Sequence, residues 1–459
     1  MKKIFLSLLL CSSLGAFAQG YIPPKEPEVQ QKLKQWQDKK FGIIIHWGLY
    51  SIPGIVESWN LCSEEEDWIP RPKNINYDDY KKWYWGLSKQ FNPIKFNPEA
   101  WAKMAKDAGM QYVVFSTKHH DGFNMFDTKQ TDFKITNPEV PFSKNPKSNI
   151  AKEVFNAFRK EGLWVGAYFS KPDWHSENYW WPYYATYNRN NNYSIDKNPE
   201  RWDAFKKYTY NQLEELASQY GKLDLFWLDG GWVRPSNPEK YKGDKSYKGS
   251  QDIDMDKIAG MLRGYQKDLI IVDRSVHGIY ENYTTPEREI PEKPLNYPWE
   301  ACDPLGDNWG YVPNDPMKST NKVIHTLAEI ISKGGNYLLG IGPDGNGEFD
   351  PRVTKTLKEI GNWMKTNAEA VYGTKPIAPY ADGNFRFTQK GNSVYAFYLV
   401  PENNMQLPQN LQFSFPKKFK KVSVLGGNKT VKFEQQANNM NISTSDIKQQ
   451  PHAVVFKME

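Results

Sequence analysis

Between residues 40 and 370 the sequence alternates between two patterns, and this alternation constrains the fold more than any other feature. Short runs rich in β-branched and aromatic residues are followed by longer segments with helical periodicity, which is typical of parallel βα units. The pattern predicts six strands and a seventh near 295–301. The six lie at 41–48, 111–118, 162–170, 222–231, 269–274 and 336–342.

The segments between these strands predict helices that begin and end with recognisable signals. In the first of them Asn97 is an N-cap residue, Pro98 occupies the first helical position and Gly109 ends the helix. The predicted helices cover 97–109, 149–162, 200–221, 254–268, 319–335 and 350–373.

An open, doubly wound sheet and a closed barrel both fit such a series. A dinucleotide-binding sheet would carry a glycine-rich turn after its first strand, but the sequence there is HWGLYS. We therefore predict an α/β fold: a (β/α)8-like, TIM-type barrel over 19–374, in which irregularity is allowed. From about residue 376 short strands with Gly and Asn turns predict a small C-terminal antiparallel β-sandwich domain over 375–459.

The first 18 residues have the pattern of a signal peptide. Lys2 and Lys3 precede an apolar run that ends in Ala16-Phe17-Ala18, a small-x-small cleavage site. This predicts an exported protein, periplasmic or extracellular. A lipid-anchored form through Cys11 is disfavoured, because the preceding Leu10 is bulky.

The remaining chain contains no apolar stretch long enough to cross a membrane. Its two cysteines, Cys62 and Cys302, form no disulfide framework, and whether they pair is left open. The net charge is +6 with scattered lysines, which does not predict a nucleic-acid partner. Aromatic residues make up 15% of the sequence, with 17 Trp, and this favours sugar binding. The oligomeric state is not indicated.

Polar and aromatic side chains follow five successive predicted strands. Each taken alone fits a capping or packing role, but the carboxyl ends of barrel strands meet at one rim, where active sites form. Their convergence therefore predicts a functional site. The strand ends carry His46, His119 with His120, Tyr168, Asp229 between Trp227 and Trp232, and Arg274 after Asp273.

Three kinds of chemistry were compared for this rim. A metal hydrolase would use the three histidines with Asp229, but such barrels usually present His-x-His on the first strand, and here it is His-Trp-Gly. We therefore expect no metal or other cofactor. No strained elbow motif marks a Ser or Cys nucleophile. Carboxylates flanked by Trp favour glycoside hydrolysis, which needs two carboxyl groups.

Seven blocks of the sequence resemble the α-L-fucosidases of glycoside hydrolase family 29, in the order of that family. They span roughly residues 40–375, nearly the whole predicted barrel. The blocks are FGIIIHWGLYS, KHHDGF, YFSKPDW, LFWLDGGW, VDR, PWE with NWGY, and GGNYLLGIGPDGNGEF.

The resemblance implies an exo-acting, retaining enzyme that removes terminal α-L-fucose from an oligosaccharide or glycoconjugate. Asp229 would be the nucleophile that forms a covalent fucosyl-enzyme. Tyr168 and Arg274 would hold it ionised. The implied sugar contacts are His46, His119 and His120 for hydroxyl groups, Glu57 and Trp59 as a contact pair, and Trp227 or Trp299 as a wall for the fucose methyl group.

The acid/base is the least determined role, because the family varies most there. Glu281, Glu287 and Glu289 lie in one loop, and Glu287 is preferred. Its Thr-Pro-Glu setting resembles the branch of the family that acts on α-1,3 and α-1,4 linkages. Two alternatives stay open: a glycan-binding protein on a degenerate hydrolase scaffold, and a related glycosidase that acts on L-galactosides.

Overall fold

The structure is a computed structural model that describes residues 20–62, 69, 75–404, 406–427, 430–447 and 450–459. The predicted signal peptide lies outside the described residues. Within the described part of the chain, no helix is long and apolar enough to span a membrane.

Seven parallel strands form one curled sheet, in the order β5-β4-β3-β2-β1-β7-β6. All six predicted strands are confirmed, and the seventh begins at Glu300, near the end of the predicted segment 295–301. The predicted fold class, a barrel-like α/β region followed by antiparallel β-structure, is also confirmed. The strands are β1 (Phe41–Ile45), β2 (Tyr112–Lys118), β3 (Trp164–Ser170), β4 (Leu225–Asp229), β5 (Ile270–Asp273), β6 (Glu300–Pro304) and β7 (Asn336–Ile341).

Eight α-helices accompany the sheet among the described residues. The six predicted helices are present, and the Asn97 side chain caps its helix by accepting from the Ala100 amide at 3.0 Å. Two further helices, α1 and α2, were not predicted. The helices are α1 (Pro27–Lys39), α2 (Tyr77–Gly86), α3 (Pro98–Asp107), α4 (Ile150–Lys160), α5 (Pro199–Gln219), α6 (Met255–Tyr265), α7 (Thr320–Ser332) and α8 (Pro351–Val371).

Alternation along each strand separates two cores. In β1 the side chains of Ile43 and Ile45 join the large cluster beneath the helices, whereas Ile44 joins a smaller cluster inside the barrel. Trp36 of α1 belongs to the interior cluster and stacks on Tyr283, with 3.9 Å between ring centroids. Helix α1 therefore contributes its apolar face to the interior of the barrel.

Among the described residues the parallel sheet contains no eighth regular strand, and an irregular segment at 281–288 lies between β5 and β6. The Asn282 amide donates to Ile271 O of β5 at 3.0 Å. On the other side, the Arg288 amide donates to Cys302 O of β6 at 2.9 Å, and the Cys302 amide donates to Pro286 O at 3.2 Å. These bonds fix the backbone on both sides of residue 287.

The C-terminal region forms two antiparallel sheets that share one apolar cluster, in which Phe387 and Val394 of one sheet meet Phe413 and Ile442 of the other. The division into domains at residue 374 stays a prediction. The strands are β8 (Lys375–Asp382), β9 (Phe385–Lys390), β10 (Ser393–Leu399), β11 (Asn410–Ser414), β12 (Val422–Val424), β13 (Phe433–Gln436), β14 (Asn439–Ser443) and β15 (Ala453–Met458).

Candidate active site

The carboxyl ends of the barrel strands surround a cavity of about 720 Å³. Most of the predicted site residues line it, and two more, Tyr168 and His120, lie behind it against Asp229. The predicted residues that line the cavity are His46, Glu57, Trp59, His119, Trp227, Asp229, Arg274 and Glu287.

Asp229 is aimed at this cavity by the last residues of β4. Trp227 pairs with Tyr168 and Asp229 pairs with Ser170 in the β3–β4 register, so that alternate side chains share one face. The next residue, Gly230, has φ +91°, and a Cβ there would lie 2.3 Å from Cδ of Pro172. Only glycine therefore allows the chain to turn here directly after the carboxylate.

Two donors hold the Asp229 carboxylate. Arg274 Nη1 lies 3.2 Å from Oδ1, and the Tyr168 hydroxyl donates to Oδ2 at 2.8 Å. Burial alone would raise the pKa of Asp229, but the charge of Arg274 and the hydrogen bonds outweigh it, so the pKa lies well below its usual range. The carboxylate is therefore ionised, as a nucleophile must be.

The three histidines beside Asp229 are uncharged at neutral pH. Burial lowers the pKa of His46 to about 3 and that of His120 to about 4, and the pKa of His119 also falls well below 6.5. His120 Nε2 lies 3.7 Å from Asp229 Oδ2, and Ser58 Oγ bonds His119 Nδ1. The fixed positive charge beside the carboxylate is therefore that of Arg274, and neutral imidazoles are suited to sugar hydroxyl groups.

Of the three candidate glutamates, the structure brings only Glu287 to Asp229. Arg274 Nη2 donates to Glu287 Oε2, so one guanidinium bridges the two carboxylates, and Trp309 Nε1 donates to Oε1 at 3.1 Å. Glu281 is buried away from the cavity, where its carboxylate accepts from the Ser275 amide at 3.0 Å. Glu289 is exposed and does not line the cavity.

Glu57 and Trp59 both line the cavity but contact different partners. The Glu57 carboxylate accepts from the backbone amides of Trp309, at 2.6 Å, and Gly310, at 3.0 Å. Glu57 thereby fixes the segment that carries the Trp309 ring. The Trp59 ring packs edge-on against His120, with 5.3 Å between centroids.

The structure separates the two tryptophans predicted as a wall for the sugar. Trp227 lines the cavity, whereas Trp299 is 1% exposed, belongs to the cluster beneath the helices and covers Gly335. Alternation turns the next residue, Glu300, into the barrel, where it accepts from Trp227 Nε1 at 3.4 Å. Trp309 takes the place at the cavity that was predicted for Trp299.

Several cavity residues were not predicted. Asn308 and Trp309 stand in the NWGY block, and Trp232 stands in LFWLDGGW, so these three residues belong to the family-like motifs. Three arginines and one aspartate come from loops without a sequence signal. These residues are Arg189, Arg234, Arg288 and Asp307.

The two cysteines are both buried and are not bonded to each other. In the ranges that the structure describes, no three His, Cys, Asp or Glu side chains are grouped as ligands of a metal ion would be. The arrangement at the cavity is instead an ionised carboxylate and a second carboxylate on one guanidinium, bordered by neutral imidazoles and indole rings. This set can perform two-carboxylate chemistry on a neutral sugar.

The chain is similar to known proteins over most of its length. The model of the α-L-fucosidase family matches residues 9–369. Tissue α-L-fucosidase of Rattus norvegicus is 30% identical over 430 residues, which cover 88% of this chain and 86% of the rat protein. The human tissue α-L-fucosidase is 29% identical over 428 residues, with 88% and 83% covered.

Solved structures show the same similarity in three dimensions. α-L-Fucosidase isoenzyme 1 from Paenibacillus thiaminolyticus has a TM-score of 0.76 and 29% identity, and the match covers 94% of this chain and 99% of that one. A family 29 α-L-fucosidase from Bacteroides thetaiotaomicron, trapped as a covalent intermediate with 2-fluoro-fucosyl fluoride, has a TM-score of 0.73 and 25% identity, with 94% and 96% covered.

Proposed function

The chain belongs to the α-L-fucosidase family of glycoside hydrolases, and we propose that it removes terminal α-L-fucose with retention of anomeric configuration through a covalent intermediate on Asp229. The observation that carries this proposal is the guanidinium of Arg274, which contacts both Asp229 and Glu287. Sharing one guanidinium keeps the carboxylates close together, and retaining glycosidases need carboxyl groups about 5–5.5 Å apart. The trapped intermediate of the Bacteroides relative gives further support.

In the proposed first step, an oxygen of Asp229 attacks the anomeric carbon while the bond to the aglycone oxygen breaks. Glu287 gives its proton to that oxygen, and the aglycone leaves as an alcohol. The carboxylate of Asp229 becomes a neutral ester. Tyr168 and Arg274 keep the attacking group ionised and oriented until this point.

In the proposed second step, Glu287 removes a proton from water, and the resulting oxygen attacks the anomeric carbon and releases Asp229. Only one of the two carboxylates is charged at each stage, because Asp229 is an ester when Glu287 is the base. The single guanidinium therefore always has one anion to stabilise, and its contacts with both groups serve both steps.

The fucose ring is proposed to lie between the histidines and the tryptophans. Uncharged His46 and His119 would bind its hydroxyl groups, since an imidazole offers one donor and one acceptor. The methyl group at C6 needs an apolar surface, which Trp227 and Trp309 provide beside the carboxylates. Glu57 would act through the backbone of Trp309 by holding this wall in place.

An aryl α-L-fucoside tests this function directly. We expect turnover in which the α-anomer of fucose appears first by proton NMR and then mutarotates, because two displacements restore the configuration. An aryl α-L-galactoside should react more slowly, since its C6 hydroxyl would face the tryptophan wall. Release of β-fucose first would refute retention. Binding of fucose without turnover would favour a glycan-binding protein, and faster turnover of the galactoside would favour the other glycosidase.

The linkage is a separate proposal, supported by the Thr285-Pro286-Glu287 motif. Hydrogen bonds between β6 and the residues on either side of Glu287 hold the backbone of this motif in place. We expect kcat/KM for Lewis-type trisaccharides with α-1,3 or α-1,4 fucose to exceed that for an α-1,2-linked disaccharide by about tenfold or more, a difference of about 1.4 kcal/mol in transition-state binding. Equal or better hydrolysis of the α-1,2 linkage in the same assay would contradict this assignment.

A further inference from the structure

A second hollow adjoins the active-site cavity. The two share Trp232 and Arg234, and the second has a volume of about 400 Å³. Its other walls include the rings of Tyr184, Tyr187 and Tyr247. We call this space the tyrosine hollow. A single deoxyhexose does not need both spaces, so the hollow lies where the rest of a glycan would continue.

Two tyrosines of the hollow have large exposed fractions. Tyr184 is 43% exposed and Tyr187 is 68% exposed, although both come from a single loop beside the cavity. Exposed aromatic groups gathered at one place mark binding surfaces rather than packing. Tyrosine combines an apolar ring face, which suits the C–H face of a pyranose, with a hydroxyl group that forms hydrogen bonds.

Two arginines stand where the cavity meets the hollow. The guanidinium of Arg189 lies 4.9 Å from the centre of the Trp232 ring, and Arg234 lines both spaces. Both side chains are exposed, and among the residues that the structure describes neither forms an ion pair with a carboxylate. Asp273, the acidic group on which the charge of Arg234 acts, is already paired with Lys171.

Hydrogen bonds hold the backbone of Arg189 and the ring of Trp232 in place at this junction. The backbone oxygen of Arg189 accepts from Trp174 Nε1 at 3.2 Å and from the Tyr179 hydroxyl at 3.1 Å. The same Tyr179 hydroxyl contacts Trp232 Nε1 at 3.0 Å. The Arg189 backbone and the indole on which its guanidinium rests therefore share one support. A neutral fucose needs no cation beside the ring of Trp232, so these two charges require another explanation.

We propose that the tyrosine hollow binds the aglycone side of the substrate and that Arg189 and Arg234 select glycans that carry an anionic group at the junction of the hollow with the active-site cavity. The anion is a carboxylate or a sulfate ester on a sugar near the fucose, since a guanidinium recognises both by paired hydrogen bonds. This inference rests on the proposed fucosidase function and names its substrate class.

Matched substrates test the proposal: a neutral fucosylated trisaccharide, its sialylated counterpart and its sulfated counterpart. We expect the wild-type enzyme to show kcat/KM about fivefold or more higher for at least one acidic substrate at low ionic strength, with the advantage falling as salt is added. The preferred acidic substrate identifies the carboxylate or the sulfate as the natural group. The double variant Arg189→Gln/Arg234→Gln should lose this advantage, so that its kcat/KM values for the acidic and the neutral trisaccharides become equal.

Lys160→Gln is the control, because it removes the same kind of charge from the exposed end of α4 and should keep the acidic preference. Equal rates on neutral and acidic substrates would overturn the proposal, as would a preference that survives in the double variant. An equal loss of kcat/KM on every substrate, together with a lower Tm, would mean that the arginines stabilise the fold. That result would also overturn the proposal. If the neutral trisaccharide and an aryl fucoside both resist the wild-type enzyme, the proposed function fails instead.

Discussion

Replacing Asp229 with glycine is expected to lower kcat for an aryl α-L-fucoside by about 10⁴-fold or more, since removing a nucleophile leaves only binding and electrostatic effects. The reason lies in the site: Asp229 is the carboxylate that both Arg274 and Tyr168 hold. Fucose itself should still bind, because the histidines and tryptophans around the cavity are unchanged. Steady-state kinetics and calorimetric titration with L-fucose measure the two quantities separately.

Azide gives this variant a signature that a folding defect cannot produce. The glycine leaves a space on the face from which Asp229 would attack, and a small anion can enter it. We expect azide to restore turnover and to yield β-L-fucosyl azide, with the configuration opposite to that of the substrate, because only one displacement occurs. Asp307→Ala is the matched control, since this carboxylate lines the same cavity on an exposed side chain. It should change kcat by less than about tenfold, a difference of about 1.4 kcal/mol.

Three results would contradict the assignment of Asp229. One is a glycine variant that keeps more than about a hundredth of wild-type kcat, since a nucleophile is worth more than that. Another is rescue by azide that gives the α-azide. The third is a loss of kcat in Asp307→Ala as large as that in Asp229→Gly, because Asp307 would then be as essential a carboxylate as Asp229.

The positions of many site residues follow from the sequence, because the carboxyl ends of all the barrel strands lie at one rim. His46, Asp229 and Arg274 each follow a short buried run, so identifying the strands was enough to bring them together. β4 begins at Leu225 and not at the predicted residue 222, but the direction of a side chain relative to Asp229 depends only on its spacing from Asp229. Trp227 faces the cavity two residues before Asp229, as alternation requires.

Trp299 shows where this reasoning fails. When a Trp precedes a Glu, the pattern suggests that the Trp faces the barrel interior and the Glu faces away from it. The structure has the opposite arrangement: Glu300 faces the barrel interior, and Trp299 is buried beneath the helices. Glu300 is fully buried inside the barrel, where burial raises the pKa of its carboxyl to about 7 and Tyr112 and Trp227 donate to it. A buried acid of this kind depends on partners from other strands, which local sequence does not reveal.

The unpredicted helix α1 has a related cause. Its apolar stripe is narrow, with Val29, Leu33 and Trp36 among charged and amide side chains. The helix is buried through contacts of Leu33 and Trp36 with the barrel interior, and these contacts come from residues distant in the sequence. The loops that carry Arg189 and Arg234 gave still less signal. Their positions beside Trp232 depend on tertiary contacts over long connections, so the tyrosine hollow emerged only from the structure.

The second large effect is expected at Glu287. Glu287→Ala should lower kcat/KM for a phenyl α-L-fucoside by about 10²-fold to 10⁴-fold, the range for losing a general acid. The variant should be much less impaired on a dinitrophenyl fucoside, because that leaving group departs without a proton. Its slow step is then hydrolysis of the fucosyl-enzyme, which also lacks its base. We therefore expect a burst of dinitrophenol followed by a low steady rate.

Two sister variants separate Glu287 from the other glutamates of its loop. Glu289→Ala removes an exposed carboxylate that does not line the cavity, and it should keep nearly all activity on both substrates. Glu281→Ala removes a buried acceptor of the Ser275 amide, so it should lower Tm without a difference between the two leaving groups. Dependence on the leaving group is the decisive readout, because a general loss of folded enzyme lowers both rates alike.

Azide distinguishes the two carboxylates once more. In Glu287→Ala the nucleophile is intact, so the fucosyl-enzyme still forms and azide attacks it from the side that Glu287 has vacated. The product should be α-L-fucosyl azide, the anomer opposite to the one expected from Asp229→Gly. Glu287→Ala could instead show equal losses for both leaving groups and give no α-L-fucosyl azide. If Glu289→Ala or Glu281→Ala then showed the dependence on the leaving group and gave the α-azide, that residue would be the acid/base. The contact of Arg274 with Glu287 would then only orient the arginine toward Asp229.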